Sequence, residues 1–379
     1  MKKLLVFLWA LLAVSASVNA QGLTATLQQG ENMTPFYGPD AFVEAYNAAQ
    51  KGAIITLSAG EFNTVDSITK QVTIIGNGYA TTNMTRILSK NGTCLIINAN
   101  NVTIEGVFFL YGVYIRKVSD THLRKCYLGE LNATHTHKNT VIDQCRVIYN
   151  RTLAKGENIC FKNCILYYLY SGESTTSDYR KLNTISNPAY FSNCLIYHYF
   201  DEWCTESGSY WRDYSVPYGV FKNCILGQRD YDYKWTSGSW VANSNYWQGF
   251  YLGILRKSSN EYYNNVFFLY PYQATASAYT DEVYDELKTM EMNNTLVESQ
   301  TVQGNTTSTW AALFKDGENV SWLKDDIPFT GDDGTVVGPY GGTGFSINPS
   351  IPRIVESKID SNTDADGQLN VRIKVEVNP

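Results

Sequence analysis

Five of the eight tryptophans fall between residues 203 and 247, in a stretch that is also rich in tyrosine. Such rings join an apolar face to a polar tip, so they can stack on the C–H face of a sugar while the tip bonds a hydroxyl. Tyr170, Trp203, Trp211, Tyr231, Tyr233, Trp235, Trp240 and Trp247 are the candidate carbohydrate contacts. Ionisable groups lie among them: Arg180, Asp201, Glu202, Asp213 and Asp230. With Lys162 and Lys222 they form the candidate catalytic set, because a glycosidase needs two facing carboxylates and a lyase needs a base beside a group that neutralises a uronate. Spacing along the chain does not say which of them face one another. The plain alternative is that the rings pack on one another beneath the loops and the charges are solvated.

Metal signals are weak. Asn362, Asp364, Asp366 and Gly367 match the opening of a calcium-binding loop, but the twelfth position is Ile373 instead of Glu, so a turn is expected. His135 and His137 share a strand face without a third ligand and read as solvent-facing turn residues. No cofactor is called for, no metal set is predicted, and Ca2+ is the one ion that uronate chemistry would use.

A repeat must position these residues. With Val107, Cys126, Cys145, Cys164, Cys194, Cys224 and Val266 aligned as position zero, the intervals are 19, 19, 19, 30, 30 and 42 residues. Three residues earlier stand Ile104, Leu123, Ile142, Phe161, Phe191, Phe221 and Tyr263; two residues later stand Phe109, Leu128, Val147, Leu166, Ile196, Leu226 and Phe268. Zero and plus two lie on one strand face, so these columns point into one core. The residue before zero is Gly106, Lys125, Gln144, Asn163, Asn193, Asn223 or Asn265, types that favour a left-handed corner at most positions. Stacking places the asparagines in a ladder, each expected to bond its neighbour.

Recurrence at a short period with strand-like segments predicts an all-β solenoid, a single-stranded right-handed parallel β-helix. A leucine-rich repeat is the alternative, since Ile142, Cys145, Val147 and Asn150 mimic its spacing. Return segments such as residues 131–140 lack a helical period, which disfavours it. The outward row two residues before zero reads Glu105, Arg124, Asp143, Lys162, Ser192, Lys222 and Asn264, and its alternating start predicts a surface salt-bridge ladder. On that face Lys162 or Lys222 would act as lyase base or sugar contact. The extra residues enter at 170–188, 199–217 and 228–260, always between the plus-two strand and the next minus-three residue, so the excursions should leave one side in adjacent layers.

The segments around the repeat follow from the same reasoning. Lys2, Lys3, an apolar run over residues 4–14 and small residues ending at Val18, Asn19 and Ala20 predict a signal peptide over residues 1–20, hence a periplasmic or extracellular protein. Residues 21–52 hold an N-terminal segment and a capping helix, begun by Asp40 and ending near Gln50, with Phe42, Val43, Tyr46 and Ala49 as its apolar stripe. The β-helix proper spans 53–280, irregular terminal coils and a cap span 281–352, and a hairpin-like β tail spans 353–379. The formal charge of −6 lacks the footprint of a nucleic-acid partner, and no later apolar run is long enough for a membrane span. Ladder thiols in one column stand about 4.8 Å apart with parallel bonds, so Cys126, Cys145, Cys164, Cys194 and Cys224 are expected to stay reduced as small core residues; Cys94, Cys160 and Cys204 lie off the column.

The order of cap helix, "GAIITLSAGEFN", "VTIIGNG" and "ANNVTIEGVFF" resembles the entry into the pectin-lyase-like family of right-handed β-helices, over about residues 36 to 270. That resemblance implies the fold but not one activity, because the family holds polysaccharide lyases, glycoside hydrolases, phage tailspikes and adhesins. The Gly-His-Gly of polygalacturonases is missing, and Arg372-Ile373-Lys374 lies in the tail; the pectate-lyase pattern Arg-x-Pro-x-x-Arg is absent too. The sequence therefore points to an exported protein whose partner is a polysaccharide or surface glycan. Whether it is a lyase or hydrolase, or a non-catalytic glycan-binding or adhesin-like protein, stays open, as does its oligomeric state.

Overall fold

The computed structural model describes residues 22–79, 83–133, 135–151, 156–169, 189–198, 219–226, 228–229, 233–236, 239–242, 247–248, 261–269, 293–298, 301–302, 305–306, 329–349, 353–359 and 371–376. Among them the chain is mostly β, with one helix, and no helix is long and apolar enough to cross a membrane. Two long sheets dominate. The first has eleven strands, of which nine run parallel from Ala53–Leu57 through Val72–Ile75, Thr103–Glu105, His122–Arg124, Val141–Asp143, Cys160–Lys162, Ala189–Ser192 and Gly219–Lys222 to Glu261–Tyr263. The second runs from Gly60–Phe62 through Tyr127–Asn132, Arg146–Arg151, Ile165–Leu169, Leu195–His198 and Ile225–Leu226 to Val266–Leu269 and Thr295–Glu298. Successive strands alternate between the sheets, so the chain climbs one layer per repeat, as a β-solenoid does. Short strands such as Leu95–Ile97 and Val113–Ile115 pair in parallel and join the second sheet beside Tyr127–Asn132.

Position-zero, minus-three and plus-two residues meet in one core, as the pattern requires. Leu123, Cys126, Leu128, Ile142, Cys145 and Val147 are all fully buried. The corner residues Gly106, Lys125, Gln144, Asn163, Asn193 and Asn223 have φ between 49° and 68°, the left-handed turn that brings the two strands of a layer to an angle. In the minus-three column Phe161, Phe191, Phe221 and Tyr262 form one stack of rings, with centroids 4.9, 4.6 and 5.2 Å apart.

The cysteine column has a task that its apolar character did not show. Each thiol of Cys126, Cys145, Cys164, Cys194 and Cys224 approaches the backbone carbonyl of the minus-three residue one layer back, at 3.3–3.6 Å. Position zero thus wants a small side chain with a donor. All five thiols are free and buried, and burial pushes those of Cys145 and Cys194 well above the usual thiol range. Cys94 and Cys160 form no disulfide among the described residues, and Cys94 Sγ donates to Tyr111 O at 2.9 Å; Cys204 lies outside the described residues.

Register corrects the last aligned repeat. Phe221 pairs with Tyr262 and Ile225 with Val266, and Asn264 carries the positive φ of 54°. The corner is therefore Asn264, position zero is Asn265, and minus three is Tyr262. Tyr, Asn and Phe are each doubled in "YYNNVFF", so minus three and plus two fit either frame, and the apolar rule at zero prefers Val266 to Asn265; strand register and hydrogen bonding select Asn265. Asn265 donates through Nδ2 to Phe221 O at 2.9 Å, as a thiol does in earlier layers. The pattern then continues one layer beyond the expected end, with Asn293 at the corner (φ 49°) and Asn294 donating to Tyr262 O at 2.9 Å.

The corner asparagines do not form the expected ladder along the covered seam. Residues 329–349, expected to be terminal coils and a cap, run lengthwise over these corners instead. Asn163 Nδ2 donates to Pro339 O and Gly341 O at 2.8 and 2.5 Å, Asn223 Nδ2 donates to Asp332 Oδ1 at 2.9 Å, and Ser346 N–H donates to Gln144 Oε1 at 3.1 Å. The cause is an apolar row on the outer face of the second sheet. Ile165, Leu195, Ile225 and Val266 need cover, and Val337 packs among them at 2% exposure. Side-chain ladders do form elsewhere: Asn293 donates to Asn264 at 2.8 Å, and on another corner Asn158 donates to Asn139, which donates to the Asp120 carboxylate, at 2.9 Å each.

At the N-terminal end a helix (Ala41–Ala48) buries Ala41, Phe42, Ala45 and Tyr46, with Ala49 just beyond it; Val43, expected in this stripe, is only half-buried. Asp40 precedes it without a side-chain cap bond and instead accepts from Asn63 Nδ2 at 2.7 Å. The other helix end is held by Lys70, whose Nζ donates to Tyr46 O, Asn47 O and Ala49 O at 3.0, 3.0 and 2.9 Å. Cationic donors suit the carbonyl end of a helix. Replacing Lys70 by Met should lower the free energy of unfolding by about 1.5–3 kcal/mol, measured in urea, because these bonds are charge-assisted.

His137 also departs from expectation. It is 1% exposed, with Nδ1 2.8 Å from Thr140 Oγ1, and the next layer makes room for it with Gly156. His135 is half-buried beside Tyr114, its Nδ1 3.4 Å from the hydroxyl. Near the end of the sequence Arg353–Ile359 pairs antiparallel with Val371–Glu376, the two arms of the expected tail; the turn from Asn362 to Gly367 lies outside the described residues.

Candidate functional site

The three long excursions are rooted in consecutive layers. They leave after Ile165–Leu169, Leu195–His198 and Ile225–Leu226, which pair in order, and return to Ala189–Ser192, Gly219–Lys222 and Glu261–Tyr263, which also pair in order. Both roots of all three therefore stand on the same two strand edges. Within the third, Tyr233–Thr236 pairs antiparallel with Ser239–Ala242, setting Trp235 opposite Trp240, and Trp247–Gln248 pairs with Gln228–Arg229. Tyr170, Trp203, Trp211, Tyr231, Arg180, Asp201, Glu202, Asp213 and Asp230 lie outside the described residues.

The returning strands open the outward face of the first sheet. Period-two alternation turns two rows to solvent: Cys160, Tyr190, Val220 and Glu261, and beside them Lys162, Ser192, Lys222 and Tyr263. Lys162 and Lys222 are exposed and Tyr190 keeps 43% of its surface. Lys162 pairs in register with Ser192 and Ser192 with Lys222, so the two lysines stand two layers apart, roughly 9.6 Å along the stack. Tyr190 lies beside them, next to the point where the first excursion returns. The sequence reading missed it, although its place one residue before buried Phe191 marks it as outward.

Earlier layers carry the predicted salt-bridge ladder. Arg124 Nη1 is 3.9 Å from Glu105 Oε2 and Nε is 3.2 Å from Asp143 Oδ2, although Nε is not aligned for a hydrogen bond. Beside them His122 is held below the ordinary imidazole pKa, chiefly by burial, and its Nε2 is buried without a hydrogen-bond partner. Farther along, Lys222 Nζ is 2.7 Å from Asp332 Oδ2. That pair holds the Asp332 carboxyl below the usual carboxylate range, with Asn223 adding to the effect. No sequence signal points to Asp332, which reaches Asn223 from 109 residues away.

A cavity of about 450 Å³ lies elsewhere. It is a polar groove beside the cap helix, lined by Lys51, Thr69, Lys70, Gln71 and Asn100 among others. No group of three His, Cys, Asp or Glu side chains among the described residues is placed to hold a metal ion. In comparisons with family models, curated proteins and solved structures, nothing matches this chain.

Proposed function

We propose that this is an exported, single-stranded right-handed parallel β-helix of pectin-lyase-like kind that engages polysaccharide at the outward face of its first sheet. Right-handed crossovers are the rule for parallel strands joined within a sheet. One observation carries the functional reading: three excursions, the second and third rich in Tyr and Trp, return through consecutive strands beside an open face bearing Lys162, Tyr190 and Lys222. A strip with one exposed ring and two cations roughly 9.6 Å apart suits an extended chain of sugars, some of them acidic, better than a small compact ligand.

Affinity electrophoresis tests this directly. The protein should be retarded in gels containing polygalacturonate, and the double variant Lys162→Ala, Lys222→Ala should bind about tenfold more weakly, since two exposed charge contacts are lost. A wild-type protein that migrates unchanged through every polysaccharide gel would sink the reading.

Catalysis is the second reading, favoured by the convergence of Glu105, Arg124, Asp143 and His122 on the same sheet face. An arginine beside carboxylates and a neutral imidazole supplies the parts of a uronate-neutralising and proton-accepting site. Incubation with uronate polysaccharides, followed by the absorbance of unsaturated products, decides it for a lyase.

A further inference from the structure

Lys222 already holds a carboxylate, and the source of that carboxylate is a small self-contained turn. Residues 329–337 fold back on themselves through the bridge between Thr330 and Val336, with Val337 N–H donating to Phe329 O at 2.9 Å and Gly331 N–H to Thr335 O at 2.8 Å. The foot of this turn is anchored, because Val337 is buried among Ile165, Leu195, Ile225 and Val266 with Phe329 and Val336 packed alongside. The tip is not. The side chains of Lys222 and Asp332 keep 50% and 38% exposure, and an ion pair so exposed contributes little. The Lys222 contact can therefore break while the foot stays in place.

Backbone geometry aims the tip. A Cβ on Gly331 would lie 2.7 Å from Asn223 Cγ, so only glycine lets the turn approach this closely. Asn223 then brackets Asp332, donating through Nδ2 to Oδ1 at 2.9 Å and accepting from its N–H at 3.3 Å. The remaining oxygen, Oδ2, is directed at Lys222.

We propose that Asp332 is a built-in counter-anion of the polysaccharide strip: its carboxylate occupies the place on Lys222 that a sugar carboxylate takes, and an acidic polysaccharide binds by displacing it. This rests on the polysaccharide reading above. The consequence is selectivity for length. A single anion that reaches Lys222 only exchanges one carboxylate for another, whereas a polymer that also meets Lys162 and Tyr190 adds contacts that Asp332 does not offer.

Asp332→Asn isolates the charge, because it keeps the Oδ1 acceptor for Asn223. Asp333→Asn is the control, since it removes an equal charge from a carboxylate that bonds Thr335 N and Oγ1 at 2.9 and 2.7 Å. Calorimetric titration of the full chain with polygalacturonate and with neutral hydroxyethylcellulose is the measurement. We expect Asp332→Asn to bind polygalacturonate about three- to five-fold tighter than wild type, Asp333→Asn to match wild type, and the neutral polymer to show no such gain. In a Lys222→Ala background the Asp332→Asn gain should vanish, which also serves if stability changes complicate the single variant. Equal shifts from both aspartate variants, an unchanged or weaker Asp332→Asn, or a gain that survives Lys222→Ala would overturn the counter-anion while leaving polysaccharide binding intact. No binding of either polymer by wild type and Asp332→Asn alike would remove both readings together.

Discussion

Replacing Phe191 by Ala should cost about 3–5 kcal/mol of unfolding free energy, the usual penalty for deleting a buried aromatic ring. Its ring is 1% exposed and lies between Phe161 at 4.9 Å and 2°, and Phe221 at 4.6 Å and 7°, so three layers share it. Removal leaves a gap that parallel strands on both sides hold open, and neighbours locked in register have little freedom to collapse into it. Phe191→Leu should cost roughly 1.5 kcal/mol or less, because it keeps most of the volume. Urea unfolding followed by tyrosine and tryptophan fluorescence measures both. A loss below about 1 kcal/mol for the alanine variant would mean the rings do not form one continuous stack.

Asn265→Leu should be comparably damaging for a different reason, costing about 2–5 kcal/mol. The amide satisfies three buried groups: it donates to Phe221 O at 2.9 Å and to Asn294 Oδ1 at 3.2 Å, and it accepts from Cys224 N–H at 2.8 Å. Leucine removes the acceptor of Cys224 N–H and the side-chain donor to Phe221 O, while Asn294 Oδ1 keeps the Asn265 backbone N–H at 2.9 Å; each buried group that loses its partner costs roughly 1–3 kcal/mol. Asn265→Cys should recover most of the loss, since cysteine is what the column uses in five earlier layers. If leucine proved harmless, or cysteine no better than leucine, the donor requirement at position zero would be wrong.

That column shows where the sequence was legible and where it was not. Apolar recurrence located the layers, the corners and the inward columns from Val107 to Cys224, because burial selects for hydrophobicity at fixed spacing. It chose the wrong frame in the last repeat, because it put apolar Val266 at zero where the column needs the donor of Asn265. The roots of the excursions were readable from interval lengths. Contacts of the candidate site made across long separations were not: Asp332 on Lys222 and Val337 on Ile225 join segments that share no period. His137 was misread because two histidines on a turn look solvated, and only its bond to Thr140 reveals that it points inward.

A stack in which every layer touches only its two neighbours is expected to fray from its ends, one layer at a time. The lengthwise seam segment changes that behaviour. By bonding to Gln144, Asn163 and Asn223 and seating Val337 across the outer faces of Ile165, Leu195 and Ile225, it couples layers that otherwise never meet. These layers should melt as one block. The segment also has nothing to dock on until they exist, so its closure, at sequence separations of up to 202 residues, belongs to the end of folding.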